Sequence, residues 1–467
     1  MTGRRWLAVV AALALVAAAC GDRGDDPSGA DGGATATTGA DGAEDASAGG
    51  DGETFGDLES PCGEGDGAPQ APEGGPEETQ GITADAIAVG TVADPGFTAR
   101  PGLNQEIFDA GEAFVGWCNE QGGINGRRLE LTLHDAKYTE YQARMEEACG
   151  TDFAIVGDGA VQDNLGVSTG AACGLIDVAG FSVTPEKSGT ADPSEIERLR
   201  AVQPLPNASD RYAVSPMRVL MEDHEEALDH FGIVYGDIAT LQIQAEKTIE
   251  AYEALGATVV SEQAYNVIGE ANWAPFAQGL KNAGVEWFTF IGEGANLALL
   301  QQAMSEIDYA PEVTLQETNF YDQAYLDAAG AAAEGTYVRT AFVPFEEADQ
   351  SPATQTYVDL VEGIDGKVAL LGAQSMSGWL LFAQSAKACD DAGTLTRTCV
   401  LDTAASVTEW TGGGLHAPSD PSLTRGTEDC TVILQVRDGA FVRHAPDEDF
   451  ECTGDPLELV GDYSTSG

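Results

Sequence analysis

The sequence predicts an α/β protein of two lobes, each a parallel sheet flanked by helices, and three observations carry that reading. Short apolar runs alternate with amphipathic helical patterns between residues 82 and 181. After the crossing QPLPNASD the same rhythm resumes between 231 and 317. Each half also holds a strand ending in a G-x-G turn, AIVGDG at 154–159 and FTFIGEG at 288–294. Strand–helix alternation needs crossover connections, and these lay parallel strands into a sheet covered on both faces.

In the first half, ITADAIAVGTVADPG reads as a strand closing in a Pro-Gly turn. In LNQEIFDAGEAFVGWCNEQGG, Ile107, Ala110, Phe114 and Cys118 recur at helical spacing until Gly122 and Gly123 stop the helix. Asn125-Gly126 turns into RRLELTLHDA, where Leu129, Leu131 and Leu133 alternate with polar residues as in a strand. A helix over TEYQARMEEACG, the strand FAIVG, a small-residue helix and the strand DVAGF follow. In the second half a helix precedes the strand FGIVYG. Then come helix LQIQAEKTIEAYEALG, strand ATVVSEQAY, helix WAPFAQGLKNAG, strand EWFTFIG, helix NLALLQQAMSEI and strand EVTLQE. Beyond them TVILQVRDGAFVRHAP reads as a hairpin turning at Asp438-Gly439. Neither G-x-G completes a dinucleotide fingerprint, because Gln162 and Leu297 stand where a third glycine belongs. The turns are expected to bring backbone N–H groups close to a small ligand.

Charge excludes one large class of function. Seventy-seven Asp and Glu against 22 Lys and Arg give a formal net charge of -55, so the chain has no counterions to release from nucleic acid. The N-terminus places Arg4 and Arg5 before an apolar run from Trp6 to Ala19, the pattern of a secretory signal peptide over residues 1–19. Residues 21–80 carry 16 acidic side chains against the single Arg23, and Phe55 is their only aromatic. A segment so poor in apolar surface reads as an acidic, disordered spacer, here over residues 20–81.

Nine cysteines are present. Setting Cys20 aside leaves an even set in an exported chain, which points to disulfides, and the absence of C-x-x-C removes zinc and thioredoxin-like readings. Cys389 and Cys399 flank a short segment, and Cys430 and Cys452 flank the hairpin. Cys118 and Cys149 both end helical patterns, which leaves Cys62 with Cys173 by elimination.

Catalytic motifs are thin. Gly166-Val167-Ser168-Thr169-Gly170 matches G-x-S-x-G, but a nucleophile elbow needs a strand directly before its serine, and AVQDNL precedes this one. His134, His224, His230, His416 and His444 form no zinc-binding pattern. The expectation is a protein that is not an enzyme and takes no metal or cofactor.

LVAAAC followed by GDRGDD resembles a bacterial lipobox, whose cysteine, here Cys20, is diacylated and becomes the first residue. With the acidic spacer, GITADAIAVGTVADPG, NEQGGINGRRLELTLHDAKY, FAIVGDG, FGIVYGD and GEANWAPFAQGLKNAGVEWFTFIGEGANLALLQQA, the chain is similar over residues 82–460 to the substrate-binding lipoproteins of ABC importers. These belong to the type I periplasmic-binding-protein superfamily, and the likeness is to its branched-chain amino acid receptor branch. The resemblance implies two Rossmann-like lobes joined by three crossovers through a multi-strand hinge. Lobe I would take residues 82–207 and 342–428, lobe II 208–341 and 429–460, and 461–467 would be a tail. The protein would sit outside the cytoplasm, as a monomer held to the membrane by its lipid, and close over a small-molecule solute for delivery to an ABC permease. A ligand-sensing module or, less favoured, a hydrolase using Ser168 are the alternatives.

Carried over by position, the family's ligand contacts would be Asp94 and Phe97, Gly159 and Ala160, Phe181 and Ser182, Tyr235 and Asp237, then Glu293, Asn319, Phe320 and Tyr321. Amino-acid receptors of this family usually hold the carboxylate with hydroxyls after the third strand; here that loop reads GDGAVQDN and has none. With Asp94, Asp237 and Glu293 near strand ends, a cationic or amide-like solute is expected as readily as leucine. Phe97, Tyr235, Phe320 and Tyr321 would then supply cation-π or apolar walls.

Overall fold

The computed structural model describes residues 53–65, 74–421, 429–452 and 454–463. The signal segment and Cys20, with most of the spacer, lie outside the described residues. The part of the expected spacer that is described is not disordered, since Phe55 and Cys62 are buried in the main core and Pro76–Thr79 is a short helix. Among the described residues no helix is long and apolar enough to cross a membrane.

The first half folds into a five-stranded parallel sheet of β1 (Ala86–Ala93), β2 (Arg128–Asp135), β3 (Ala154–Val156), β4 (Ile176–Val178) and β5 (Ala201–Val202), in the order β2-β1-β3-β4-β5. β1 is an interior strand, flanked by β2 and β3, so nearly every residue of AIAVGTVA is buried. β2 is the edge, and there Leu129 is buried while Leu133 is 37% exposed, which accounts for its alternating text.

The second sheet has eight strands. β7 (Phe231–Gly236), β8 (Val259–Tyr265), β9 (Trp287–Ile291), β10 (Val313–Gln316) and β11 (Tyr337–Thr340) are parallel. β12 (Cys430–Arg437) joins β11 antiparallel, and it pairs with both β13 (Ala440–Ala445) and the short β14 (Glu451–Cys452). β6 (Arg211–Tyr212) pairs apart from both sheets with β15 (Leu457–Glu458). The chain passes from the first sheet to the second after β5, returns after β11, and crosses again into β12.

On the return it forms helices Pro352–Glu362, Leu370–Asp391 and Arg397–Ala405. The long helix packs against helix Gln105–Glu120 and under β3 and β4. Its Trp379 and Phe382 are fully buried, and Trp379 stacks on Phe114 at 5.6 Å.

Among the described residues four disulfides are formed. Cys389–Cys399 and Cys430–Cys452 are local, as expected. The other two correct the sequence reading: Cys62 joins Cys118 and Cys149 joins Cys173. The reason is topological. β1 leads to β2 on one side, and the chain then steps back over β1 to β3, so two right-handed crossovers put their helices on opposite faces of the sheet. Helix Gln105–Glu120 lies with the returning helices. Helix Tyr141–Thr151 lies with helix Val167–Ala172, which ends at Cys173. Cys118 and Cys149 therefore cannot meet. Cys62 reaches Cys118 because its segment runs beside the end of that helix, where Gly63 N–H donates to Gly123 O at 2.6 Å.

Candidate functional site

A cavity of about 570 Å³ lies beyond the carboxyl ends of both sheets and is lined from both sides. Open α/β sheets bind ligands there, and the volume is within the usual range of about 300–1,000 Å³ for ligand pockets. The first sheet contributes the loop 99–104 after β1, Tyr138 after β2, Val161 after β3 and Phe181 and Val183 after β4. The second contributes 290–295 around the end of β9, Glu317 to Asn319 after β10, and Leu241, Gln244, Lys247 and Thr248 from helix Ala239–Ala254. The three crossings form the back wall through Gln203 and Leu205, Thr340 to Phe342, and Ala417 to Ser419.

Of the positions expected at the ligand, Phe181, Glu293 and Asn319 line this cavity. The others do different work. Asp94 is fully buried and accepts the Tyr138 and Val161 N–H groups at 2.6 and 2.8 Å, so it staples three loops of the first sheet. Phe97 stacks on the outer side of Tyr138, with ring centroids 4.3 Å apart. Gly159 spends its N–H on Val92 O at 2.9 Å, Ala160 is core, and Ser182 is buried with its carbonyl accepting from Asn207.

Tyr235 points to Glu262 on the neighbouring strand at 2.9 Å, and Asp237 is exposed, holding Val267 N–H at 3.1 Å. Phe320 is core, edge-on to Phe290 and Tyr325. Tyr321 is core beside the return crossing, where its hydroxyl bonds Glu346 and accepts Phe345 N–H. The expected aromatic walls thus fall outside the cavity, as do Asp94 and Asp237.

The first G-x-G turn also serves packing rather than ligand. Gly157 has φ +63°, and a Cβ there would stand 2.6 Å from Ser375 Oγ and Trp379 Nε1, so the glycine admits the long helix to the sheet. In the second turn Gly292 and Gly294 do line the cavity.

What sequence reading missed is the charge. The body of this polyanion is poor in bases, yet Arg100, Arg211, Lys247, Arg339 and Lys367 all line this same cavity. Arg339 is held by Glu317 (Nε at 2.8 Å) and lies over the Tyr212 ring. Lys367 meets Glu106 at 2.9 Å and Asp322 at 2.7 Å, and Arg211 meets Asp210 at 3.2 Å. Arg100 donates to Asn296 at 2.5 Å and stands 3.8 Å from Glu293, whose carboxyl burial pushes above its ordinary pKa.

Three buried acceptors on the lining have no hydrogen-bond partner among the described residues: Gln203 Oε1, Gln374 Oε1 and Asp429 Oδ1. The walls between are hydrocarbon, from Leu103, Leu205, Leu241, Phe290 and Phe342. Such a lining can hold a molecule with an apolar body and a polar end that both donates and accepts hydrogen bonds. Contacts across the crevice include Arg100 to Asn296, Lys367 to Asp322, and Gln244 Nε2 to the Val183 carbonyl. Ser168, by contrast, is exposed on helix Val167–Ala172, a whole loop beyond β3 and without the strand-to-serine turn of a nucleophile elbow.

Residues 208–440 match the family model described as periplasmic binding protein. Among solved structures the chain is similar to a fatty acid ABC transporter substrate-binding protein from Thermomonospora curvata, with TM-score 0.64, 16% identity, and 82% of this chain and 95% of that one covered. It is also similar to a leucine-binding protein from Thermotoga maritima, with TM-score 0.61, 14% identity and 77% and 98% covered. An extracellular ligand-binding receptor from Rhodopseudomonas palustris gives 0.61, 16%, 77% and 99%. A search of curated proteins returned no match.

Proposed function

The chain has the type I periplasmic-binding-protein fold, with that family's match over residues 208–440, and from this premise we propose that it is the extracytoplasmic receptor of an ABC importer. It captures a small solute between two lobes and presents the closed form to a membrane permease. It is anchored through a lipid on Cys20, which lies outside the described residues, and works as a monomer without a cofactor. The lobe limits follow the family pattern, with lobe I at 82–207 and 342–428 and lobe II at 208–341 and 429–460.

The observation that carries this reading is the cavity itself, lined from both sheets and bridged across its rim. Contacts made by both lobes exist only when the lobes are closed, so a solute that uses both shifts the population toward closure. The solute is small and has a polar end, in the range of an amino acid or amide. The apolar walls add a hydrocarbon body, a combination shared by leucine and by the fatty acids for which two structural neighbours are named.

Two measurements on the mature, oxidatively refolded protein test the proposal. Mass spectrometry of the protein as purified should show a stoichiometric small molecule released on denaturation. Small-angle scattering should show compaction when it is added back. Stoichiometric binding without compaction would favour a sensory module over a trap, and turnover of an activated ester that is lost in Ser168→Ala would favour a hydrolase.

A further inference from the structure

The cations of the cavity are not equally matched. Arg339 faces Glu317, Arg211 faces Asp210, Lys367 faces Glu106 and Asp322, and Arg100 stands beside Glu293. Lys247 is the exception. It is 2% exposed, its ammonium donates to the Ala208 carbonyl at 3.1 Å, and among the described residues no carboxylate lies within ion-pair distance. The two acids that influence it are engaged elsewhere. Asp210 accepts Ala191 N–H at 2.8 Å and faces Arg211, while Glu317 is held by Arg339 and by the Tyr212 hydroxyl at 3.0 Å.

An ammonium carries three donors, and a buried charge without a counter-charge costs several kcal/mol. The cost shows in Lys247 itself, whose pKa burial pushes down to about 8, which leaves it mainly protonated at neutral pH. Helix Ala239–Ala254 would be more stable with methionine at this place, so the lysine calls for an anion that the protein does not supply.

The first sheet offers that anion little. After β3 the Gly159 and Val161 N–H groups are already given to Val92 O and Asp94, and Asp158 is bound to the buried Lys187. We infer that Lys247 is the anion-binding residue of the cavity, pairing with a carboxylate on the solute whose hydrocarbon body lies against Leu205, Leu241 and Phe342. This deepens the receptor reading and rests on it.

The test compares the full mature chain with Lys247→Met and Lys247→Arg, by calorimetry and thermal shift at neutral pH. The probes are two matched pairs, leucine with leucinamide and octanoate with octanamide. In the wild type one acid should bind at least about 100-fold more tightly than its amide, the loss typical of truncating a desolvated charge pair. Lys247→Met should lose about that factor for the acid, and Lys247→Arg should keep most of it. Empty Lys247→Met should melt above the wild type, whereas a lysine with a merely structural role would lower the melting temperature. Lys247→Gln replaces the methionine variant should that one not fold.

Equal binding of acid and amide, or acid affinity kept within about threefold in Lys247→Met, overturns the inference and leaves the receptor standing. So does a wild type that binds neither pair but releases a neutral or cationic solute on denaturation. Binding neither pair and releasing nothing counts against both.

Discussion

Lys367 and Asp322 meet at 2.7 Å across the mouth of the crevice, joining the approach to helix Leu370–Asp391 to the start of helix Gln323–Ala329. Asp322 is doubly engaged, since its other oxygen caps that helix by accepting Ala324 N–H at 2.9 Å. Both side chains are partly exposed, so the pair contributes about 1 kcal/mol to the closed arrangement rather than the larger value of a buried bridge. Asp322→Asn keeps the cap and removes the charge. It should weaken solute binding by about fivefold, because the closed, binding-competent fraction of the mostly open empty protein falls by that factor. Unchanged affinity in calorimetry would mean that the pair is no latch.

His416 is buried and neutral, accepting the Ser377 hydroxyl at Nε2 (2.9 Å) and donating from Nδ1 to the Ala417 carbonyl (2.8 Å), beside the cavity's back wall. Burial pushes its pKa down to about 4, whereas in the unfolded chain it is ordinary, near 6.5. Between those values the unfolded state binds the extra proton. The stability this histidine contributes is therefore complete above about pH 6.5 and is lost as pH falls toward 4, by about 1.4 kcal/mol per pH unit. Melting temperatures recorded from pH 7 to 4 should fall in the wild type and fall less steeply in His416→Gln. Parallel curves would place the acid sensitivity elsewhere.

Much of this architecture is legible in the sequence, and the parts that are not share a physical cause. Strands such as FGIVYG and EWFTFIG announce themselves because a parallel strand buried on both faces is an unbroken apolar run. Helix Leu370–Asp391 has no readable stripe for the same reason, since it is covered nearly all round and its apolar residues have no polar face to alternate with. At the site, strand ends are visible in sequence but the direction of each side chain is not. Asp94 and Tyr235 stand at strand ends and turn away from the cavity. Lys247 and Arg339 carried a signal that could have found them: bases are so scarce in this chain that each one invites the question of what it serves.

The disulfide pairing gives a chemical check on the topology. Peptide mapping without reduction should recover Cys62 linked to Cys118 and Cys149 linked to Cys173, and no fragment joining Cys118 to Cys149. Loop-closure entropy for the 24-residue separation of Cys149 and Cys173 amounts to about 3.5 kcal/mol. Cys149→Ala with Cys173→Ala should therefore lower unfolding stability in denaturant by about that much. Because that bridge lies on the face away from helix Gln105–Glu120, the Cys62–Cys118 link should still form.

Gly157 tests whether the first G-x-G turn serves packing or ligand. Its φ of +63° is disfavoured for any residue with a Cβ, by about 1–2 kcal/mol, and an alanine methyl would also press on Ser375 and Trp379, adding about 1–3 kcal/mol of overpacking. Gly157→Ala should lower stability by about 2–5 kcal/mol and leave solute affinity near the wild-type value in the fraction that folds. Were the turn a ligand cradle, the result would invert, with affinity lost and little change in melting temperature. Calorimetric binding on the folded variant, read beside its denaturation midpoint, separates the two because packing acts on the fold as a whole while a cradle acts only when solute is present.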